Sequence, residues 1–475
     1  MNSAFVQRFL ALGQSPRELK LVYALKLLES FADFSTSLNL VLYLTEDFGY
    51  TDVEAGAYYG AWGVATSVFG MLFGPAIDRL GVRYSLVIGG ALLTLGRALL
   101  AGAATRAHVI LSIFVLQPAG MALAIPVLSI AIRRTASDKN RSLAFAVFYA
   151  VMNVGALISG LGTDAFNSYL RERIGVSGAR RALFATGCAT SLLYTLVALL
   201  LFRELPVRED AATKEHNDGV EKKSTWQTIR ETWADKVFWR LCAFTAALSG
   251  ARSIFRHMDT TIPKWMKRTI GANARYGSVY SINPAIVIAT VAPLQAYLAE
   301  RDPYNIHIVG TAITTLAPLV LFVLPASYVA ATLFMLLLSA GEVSYSSKTM
   351  EFGMLLAPEG REGVYGTLIA APLFLVRLVS GATSGGLLAH YCPATPPRHC
   401  QDMWLVIAAI SATTPLLLFA LRRCIYADDV RQRIVRARQM SVTFDAELEA
   451  TRADIEALLG GTESPPVPPV VSLVS

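Results

Sequence analysis

Charged side chains are scarce in this chain. Only 16% of its 475 residues are Asp, Glu, Lys or Arg, whereas 54% are hydrophobic, and the mean hydropathy is +0.46. A water-soluble domain has about a quarter of its residues charged. The composition therefore excludes a soluble globular protein of this length and indicates a chain that places much of its surface in lipid.

Histidine and cysteine, which supply most transition-metal ligands, are also rare. The chain has 6 histidines and 5 cysteines, and no pair of them has the spacing of zinc ligands. A phosphate-binding glycine loop and a nucleophile motif are absent as well. The sequence thus predicts no metal, no cofactor and no enzyme activity. The net charge of +7 does not predict nucleic-acid binding, because most of the excess lies in short segments between apolar runs.

The five cysteines fall into two groups. Cys188 and Cys242 lie in apolar runs, and Cys424 lies at a predicted helix end. Cys392 and Cys400 flank a short Pro-rich loop on the side predicted to face outward, where disulfides can form. The sequence leaves open whether these two are bonded.

Long apolar runs are abundant. A helix needs about 20 predominantly apolar residues to cross a bilayer, and twelve candidate segments are present. Segments one to six run 20–45, 53–77, 84–104, 108–133, 142–166 and 181–203, and segments seven to twelve run 237–262, 275–299, 304–325, 327–350, 364–390 and 403–425.

A polar stretch separates the two groups of six segments, as expected for a linker between two bundles. Apolar residues recur every three or four positions over 428–459, which predicts an amphipathic tail helix. The sequence therefore predicts an all-α integral membrane protein with twelve transmembrane helices in two pseudo-symmetric six-helix bundles. The predicted domains are an N-terminus 1–19, a first bundle 20–203, a linker 204–236, a second bundle 237–425 and a tail 426–475.

Basic residues in short loops predict the orientation. Arg79, Arg133 and Arg422 all lie in loops on the side that carries both termini, which is therefore predicted to be cytoplasmic. Two loops on the opposite side, around Arg171 and Lys264, are also basic and disagree with this rule. The sequence does not distinguish the plasma membrane from an organelle membrane.

The turn between segments two and three carries a distinctive motif. It reads Gly74-Pro-Ala-Ile-Asp78-Arg79-Leu-Gly81-Val-Arg83 and places charges beside the bilayer boundary, where they are costly. This pattern resembles the signature loop of the major facilitator superfamily of transporters. The resemblance implies alternating access between two bundles and a conformational latch formed by Gly74, Asp78, Arg79, Gly81 and Arg83.

Shorter stretches resemble one branch of that superfamily, the proton-dependent oligopeptide transporters. They lie at 26–31 in segment one, 148–155 in segment five and 341–346 in segment ten. The resemblance implies proton coupling and places Glu342 in a central binding cavity. Two positions of the branch's Glu-x-x-Glu-Arg motif are Lys26 and Ser30 here, so only Glu29 carries over.

Ionisable residues inside membrane segments are costly and are functional candidates for that reason. Lys26, Glu29 and Asp33 lie at i, i+3 and i+7 on one face of segment one. Together with Glu342 they form the predicted proton-coupling or charge-balancing group, because protonation of Glu29 would release Lys26. The alternatives are a static Lys26–Glu29 pair and a neutral, hydrogen-bonded Glu342.

Four arginines inside segments predict an anion site, because arginine stays charged and makes bidentate contacts to carboxylate or phosphate. Arg252 and Arg256 lie one turn apart in segment seven, and Arg97 and Arg377 lie in segments three and eleven. The alternative for Arg97 and Arg377 is that they brace helices against each other. The predicted substrate-binding residues are Arg97, Arg252, Arg256, Arg377, Tyr59, Tyr149 and Asn153.

These features predict a secondary active transporter that moves a small polar solute, anionic, zwitterionic or peptide-like, together with protons. Its predicted partners are the bilayer, the solute, protons and a cytoplasmic protein for the tail helix, but not nucleic acid. Two alternatives are an uncoupled facilitator or exchanger, since half of the coupling motif is missing, and a transporter-like receptor or scaffold. Deletion after Tyr426 is expected to spare a carrier and abolish a scaffold.

Overall fold

The computed structural model describes residues 16–136, 141–205, 225–298, 301–356 and 362–436. Helices joined by short turns make up these ranges. The predicted tail helix beyond 436 and the side chain of Asp78 lie outside the described residues.

Twelve helical segments, α1 to α12, correspond to the predicted membrane segments within the described ranges. In the first half, α1 is Arg17–Phe48. The helix Asp52–Ala101 reverses direction at Gly81 and gives α2 (52–80) and α3 (82–101), and Arg141–Leu200 reverses at Gly175 and gives α5 (141–174) and α6 (176–200). Between them, α4 comprises Arg106–Leu111, a π-helical turn Ser112–Leu116 and Gln117–Thr135. In the second half, α7 comprises Lys236–Ala247, Ser249–Thr260 and Ile262–Thr269, and α8 to α12 are Tyr276–Tyr297, Pro303–Val323, Tyr328–Leu356, Glu362–Tyr391 and Cys400–Ala420. A linker helix, Thr225–Ala234, precedes α7, and a short helix, Arg422–Ile425, follows α12.

Seven helical stretches are long and apolar enough by composition alone to cross a membrane. One of them, Leu143–Leu200, reverses at Gly175 and therefore accounts for two of the predicted crossings. Neither α1 nor α7 meets the criterion, since α1 carries buried Lys26 and Glu29 and α7 is broken into three short helices. The helices that hydropathy misses thus include those that carry candidate functional residues.

The two halves meet through close helix pairs. Helix α11 packs against Asp52–Ala101, and α8 packs against Arg141–Leu200. A Cβ on Gly56 would lie 2.3 Å from the carbonyl oxygen of Gly381, and one on Gly277 would lie 2.2 Å from that of Gly160. The backbones touch at these points, an approach that only glycine permits.

The ends of the bundle define two faces. The linker face carries the Gly81 turn and residues 201–205 and 225–235, and the far face, on the opposite side, carries the turns at 49–51, 102–105, 270–275, 324–327 and 392–399. Asp52, at the far end of α2, accepts hydrogen bonds from Arg268 Nη2 at 2.8 Å on both carboxylate oxygens and pairs with Lys264. Lys267 Nζ lies 2.6 Å from Glu46 Oε1. Ion pairs between the halves therefore close the far face.

The two carboxyl groups at this closure lie just outside membrane segments one and two. Burial raises the pKa of each, but the neighbouring cations outweigh burial and hold the pKa of Asp52 and of Glu46 below its ordinary value. The closure is therefore stabilised at neutral pH, where both groups are ionised. This stabilisation is lost as the pH falls below the ordinary pKa of each group, 3.8 for Asp52 and 4.5 for Glu46, and through the lowered value.

A disulfide supports the closure from the loop between α11 and α12. It joins Cys392 to Cys400, the pair that the sequence left open. Arg268 Nη1 donates to the carbonyl oxygen of Cys392 at 2.6 Å, and Arg398 of the same loop donates to the carbonyl oxygen of Arg268. The bonded loop thus holds the arginine that pairs with Asp52.

The signature turn is held by a residue from the end of the first half. Gly81 adopts φ 77° and ψ 179°. The carboxylate of Glu204 accepts the backbone N–H groups of Val82 at 2.8 Å and Arg83 at 2.9 Å, at the beginning of α3. The Arg83 side chain donates to the carbonyl oxygen of Leu199 at 2.7 Å. A carboxylate suits this position because the first turn of a helix presents unpaired N–H groups.

The beginning of the tail is part of the second half. Val430 and Ile434 are buried, and Arg433 donates to both carboxylate oxygens of Asp235 at 3.0 and 3.1 Å. Deletion after Tyr426 would remove these contacts and disturb a carrier and a scaffold alike. A test of a separate tail function therefore has to begin the deletion after Arg436.

We expect Gly81→Ala to destabilise the protein more than Gly175→Ala. Gly175 has φ 74° and ψ 173°, so both positions lie in a region that costs other residues about 1–3 kcal/mol. At Gly81 the new Cβ would also lie 2.8 Å from Glu204 Oε1, whereas at Gly175 no described atom lies within 4 Å. Thermal unfolding in detergent, with Gly70→Ala as an unstrained control, measures the ranking. Equal losses at Gly81 and Gly175 would contradict the role of Glu204.

We expect Asp52→Asn to open the far face at neutral pH. Spin labels at Thr105 and Ala326, which are exposed in far-face turns of opposite halves, report this as longer pulsed-EPR distances. The open-to-closed ratio should rise about tenfold, because these ion pairs are partly buried, and losing them costs more than the roughly 0–1 kcal/mol of a surface pair and less than the roughly 3–5 kcal/mol of a buried one. The exposed Asp402, at the same face, provides the matched control Asp402→Asn. Unchanged distances in Asp52→Asn would show that these pairs do not hold the closure.

Candidate functional site

A cavity of about 170 Å³ lies between the two halves. Helices α1, α5, α7, α8, α10 and α11 all contribute to its wall. The lining residues are Phe34, Tyr149, Met152, Asn153, Ala156, Arg252, Phe255, Arg256, Met258, Asp259, Tyr280, Asn283, Glu342, Tyr345, Ser346 and Val376.

A break in α7 lies just before the residues that it contributes to the cavity. The helix is interrupted at Leu248, between Lys236–Ala247 and Ser249–Thr260. The Thr414 hydroxyl of α12 accepts the N–H of Ala251 at 2.8 Å and donates to the carbonyl oxygen of Ala247 at 2.7 Å. A neighbouring hydroxyl thus satisfies backbone groups at the break, as a membrane interior requires.

The cavity contains two cations from α7 and a carboxyl group from α10. Arg252 and Arg256 lie one turn apart on Ser249–Thr260, and both interact electrostatically with Glu342. Glu342 accepts a hydrogen bond from Asn283 Nδ2 at 2.7 Å. The Arg252 side chain forms no hydrogen bond or ion pair with any residue that the structure describes. Its guanidinium therefore faces the cavity without a direct hydrogen-bond or ion-pair partner among those residues.

Asp259 closes the far end of the cavity. Its Oδ2 accepts hydrogen bonds from Tyr59 at 2.7 Å and Ser37 at 3.2 Å, and it lies 3.5 Å from Arg256 Nη1. Tyr59 and Ser37 belong to the first half and Asp259 to the second, so one carboxylate joins the two halves. Asp259 is missing from the residues that the sequence predicted for the site, although an acid within a membrane segment was a signal that could have found it.

The other polar residues predicted for the site lie at different depths. Tyr149 and Asn153 line the cavity, and Asn153 Nδ2 donates to the carbonyl oxygen of Tyr149 at 2.9 Å. Tyr59 is fully buried outside the lining, where it contacts Asp259.

The charges of α1 form a separate cluster inside the first half. Lys26 pairs with Glu29 at 2.9 Å, and both are buried. Arg97 is 1% exposed, donates to Ser191 Oγ at 2.5 Å and interacts electrostatically with Glu29 and Asp33. None of these side chains lines the cavity.

Arg377 also lies outside the cavity lining. Its guanidinium carbon is 4.3 Å from the ring centroid of Trp62 and 5.1 Å from that of Tyr59. The predicted substrate-binding residues therefore divide: Arg252, Arg256, Tyr149 and Asn153 meet in the cavity with Glu342, whereas Arg97, Arg377 and Tyr59 do not line it. Among the described residues, no group of three His, Cys, Asp or Glu side chains could hold a metal ion.

Two curated relatives match most of the chain. Both are named multidrug resistance protein MdtH. The protein from Aeromonas hydrophila subsp. hydrophila is 24% identical over 382 residues, which cover 79% of this chain and 88% of the relative. The protein from Aeromonas salmonicida is 25% identical over 354 residues, which cover 74% of this chain and 81% of the relative.

Solved structures share the fold. A peptide transporter POT in complex with sulfate superimposes with a TM-score of 0.66 at 18% identity, over 86% of this chain and 95% of that one. An auto-inhibited POT family peptide transporter has a TM-score of 0.67 at 14% identity, over 87% of this chain and 97% of that one. A POT family transporter in complex with 5-aminolevulinic acid has a TM-score of 0.66 at 15% identity, over 86% of this chain and 97% of that one.

These similarities confirm the predicted fold, an all-α membrane protein with two six-helix bundles. The model of the Major Facilitator Superfamily matches residues 22–389, which is most of the chain. The chain therefore belongs to the major facilitator superfamily and is a multi-pass membrane transporter, not an enzyme.

Proposed function

We propose that this chain is a secondary active transporter that moves a small solute with an anionic group by alternating access. The observation that carries the proposal is Arg252, whose guanidinium faces the cavity without an ion-pair partner in the described part of the chain. A charge in a membrane interior is costly when nothing compensates it. Carboxylate, phosphonate or sulfate oxygens match the planar guanidinium and would supply that compensation.

The acidic group of the cavity favours a zwitterion over a simple anion. Glu342 lines the same cavity as Arg252 and Arg256, and its Oε2 is held by Asn283. An amino group on the solute would complement Glu342 while its acidic group binds Arg252. The named ligands of the similar solved structures, sulfate and 5-aminolevulinic acid, support this class of solute without identifying it.

We assign proton coupling to carboxyl groups that interact with a neighbouring cation. Protonation of Asp259 would weaken its attraction to Arg256 and its hydrogen bonds with Tyr59 and Ser37, and so loosen the contact between the halves. Glu342 and the Lys26–Glu29 pair remain the other proton-carrying candidates. An uncoupled facilitator or exchanger is the alternative.

We infer that the linker face is cytoplasmic and the far face is exterior or lumenal. The loops with Arg79, Arg133 and Arg422 support this orientation through their positive charge. The Cys392–Cys400 disulfide on the far face supports it independently, because disulfides persist in oxidising compartments.

A second candidate is export of lipophilic drugs. The MdtH relatives are named for multidrug resistance, and they match most of this chain at 24% and 25% identity. A lipophilic cation could approach Glu342, but Arg252 and Arg256 would repel it. Substrate charge therefore separates the two candidates. The scaffold alternative is tested by deletion after Arg436.

We expect purified protein in liposomes to accumulate anionic or zwitterionic solutes when a proton gradient is imposed. A mixture of amino acids, di- and tripeptides, organic anions and lipophilic cations is offered outside, and the contents are read by mass spectrometry. Protein-free liposomes and a dissipated gradient are the controls. Entry that only equilibrates would support the facilitator, and selective movement of lipophilic cations would contradict the proposed solute class.

We expect Arg252→Gln to weaken solute uptake at least about tenfold through a higher KM, because a hydrogen bond to a charged group contributes about 1.5–3 kcal/mol. Arg252→Lys keeps the charge but not the bidentate geometry and should fall between the parent and Arg252→Gln. Arg203→Gln, at an exposed position outside the cavity, is the matched control. Parent-like KM values in Arg252→Gln would rule out Arg252 as the anion-binding group.

A further inference from the structure

Arg377 reaches from the second half into the first. It belongs to α11, but its guanidinium carbon lies 4.3 Å from the ring centroid of Trp62 and 5.1 Å from that of Tyr59, both on α2. These distances fall within the range of about 6 Å for cation–π attraction, which is strongest over tryptophan. The side chain therefore makes a specific contact across the interface between the halves.

The contact is a slot shaped to the arginine side chain. Trp62 and Tyr59 are fully buried and form its walls. Gly63 forms its floor, since a Cβ there would lie 2.4 Å from Arg377 Cδ and 2.9 Å from its Cγ. At Gly60, one turn earlier, a Cβ would lie 2.9 Å from the carbonyl oxygen of Leu378. The close approach of α2 and α11 thus leaves room for Arg377 and for no side chain at position 63.

An acidic side chain of the first half lies within electrostatic range of the inserted arginine. Asp33 interacts electrostatically with Arg377, and also with Arg97, Lys26 and Glu29. Lys26 and Glu29 already pair with each other, whereas Asp33 has no such ion pair with a described residue and interacts with both arginines. Asp33 Oδ1 and Arg377 Nε are both buried and have no hydrogen-bond partner in the described part of the protein. Asp33 is therefore an acidic group that can serve as the counter-charge of Arg377 in a region of low dielectric constant.

The slot shares a residue with the closure of the cavity. Tyr59, whose ring faces Arg377, also donates its hydroxyl hydrogen to Asp259 of α7. Movement of Arg377 would free the ring face of Tyr59, and movement of Asp259 would free its hydroxyl. The two contacts between the halves are thus physically linked through one side chain.

We propose that Arg377 holds the two halves together and so keeps the far face closed. Its side chain must leave the slot formed by Tyr59, Trp62 and Gly63 before the far face opens. In this role Arg377 positions the two halves and does not bind the solute. The inference goes beyond the proposed solute class, because it applies to whichever solute the protein carries.

The test measures the distance between spin labels at Thr105 and Ala326 in full-length protein in nanodiscs, with no solute present. Cys188, Cys242 and Cys424 are replaced by serine, and the Cys392–Cys400 disulfide is kept. Gly63→Ala is the decisive variant, because its methyl group displaces Arg377 while leaving every charge in place. The matched control is Gly70→Ala on the same helix, where a Cβ meets no described atom within 4 Å.

We expect Gly63→Ala and Arg377→Leu each to raise the ratio of open to closed distances about tenfold, in line with the loss of a desolvated cation–π contact. Gly70→Ala should match the parent, and Arg377→Lys should fall between the parent and Arg377→Leu. Since no solute is present, a residue that only binds solute would leave the distances unchanged. Parent-like distances in Gly63→Ala overturn the proposal, whatever Arg377→Leu shows, and its failure would leave the proposed solute class intact.

Discussion

A charge inside a bilayer is costly unless another charge or a polar group compensates it, and this chain places several charges there. The way each one is compensated organises the structure. Lys26 and Glu29 satisfy each other within one turn of α1. Asp259 is satisfied by groups from both halves, and it therefore joins them. Arg252 lacks such a partner in the described structure and faces the cavity, which is why it is the residue that a solute would compensate.

Closure of the far face combines backbone contact with charge. Glycine contacts such as Gly56 with Gly381 bring the backbones of the two halves together, and this contact has no net charge. Ion pairs such as Asp52 with Arg268 lie at the rim of the same face, where water and salt can reach them. The glycine contacts set how closely the halves approach each other, and the ion pairs at the rim make the separation of the halves sensitive to charge. A closure of this kind can hold firmly and still be released by a change at a few carboxyl groups.

Much of the fold could be predicted because its signals are local. Apolar length predicts most of the membrane segments, and a glycine between charged residues predicts the turn at Gly81. The candidate site was predicted only in part, because periodicity does not say which neighbour a helix face meets. Arg97, Arg252 and Arg377 look equivalent in sequence, yet only Arg252 lines the cavity. Glu204 was placed in the linker, because its contact with Val82 spans 122 positions and leaves no local pattern.

The charge arrangement also suggests why proton and solute binding would depend on each other. While Asp259 is ionised, it neutralises Arg256, and Arg252 and Glu342 leave the cavity close to neutral. A proton on Asp259 would remove that neutralisation and make the cavity more positive, which strengthens the binding of an anionic group at Arg252 and Arg256. By linkage, a bound anionic group must strengthen proton binding to Asp259 by the same factor. The same proton weakens the contacts of Asp259 with Tyr59 and Ser37, so the doubly loaded cavity is also the one whose halves are held together least tightly. Under the proposed coupling, the carboxylate of Asp259, which is shared between the cavity and the interface, links the movement of the proton to that of the solute.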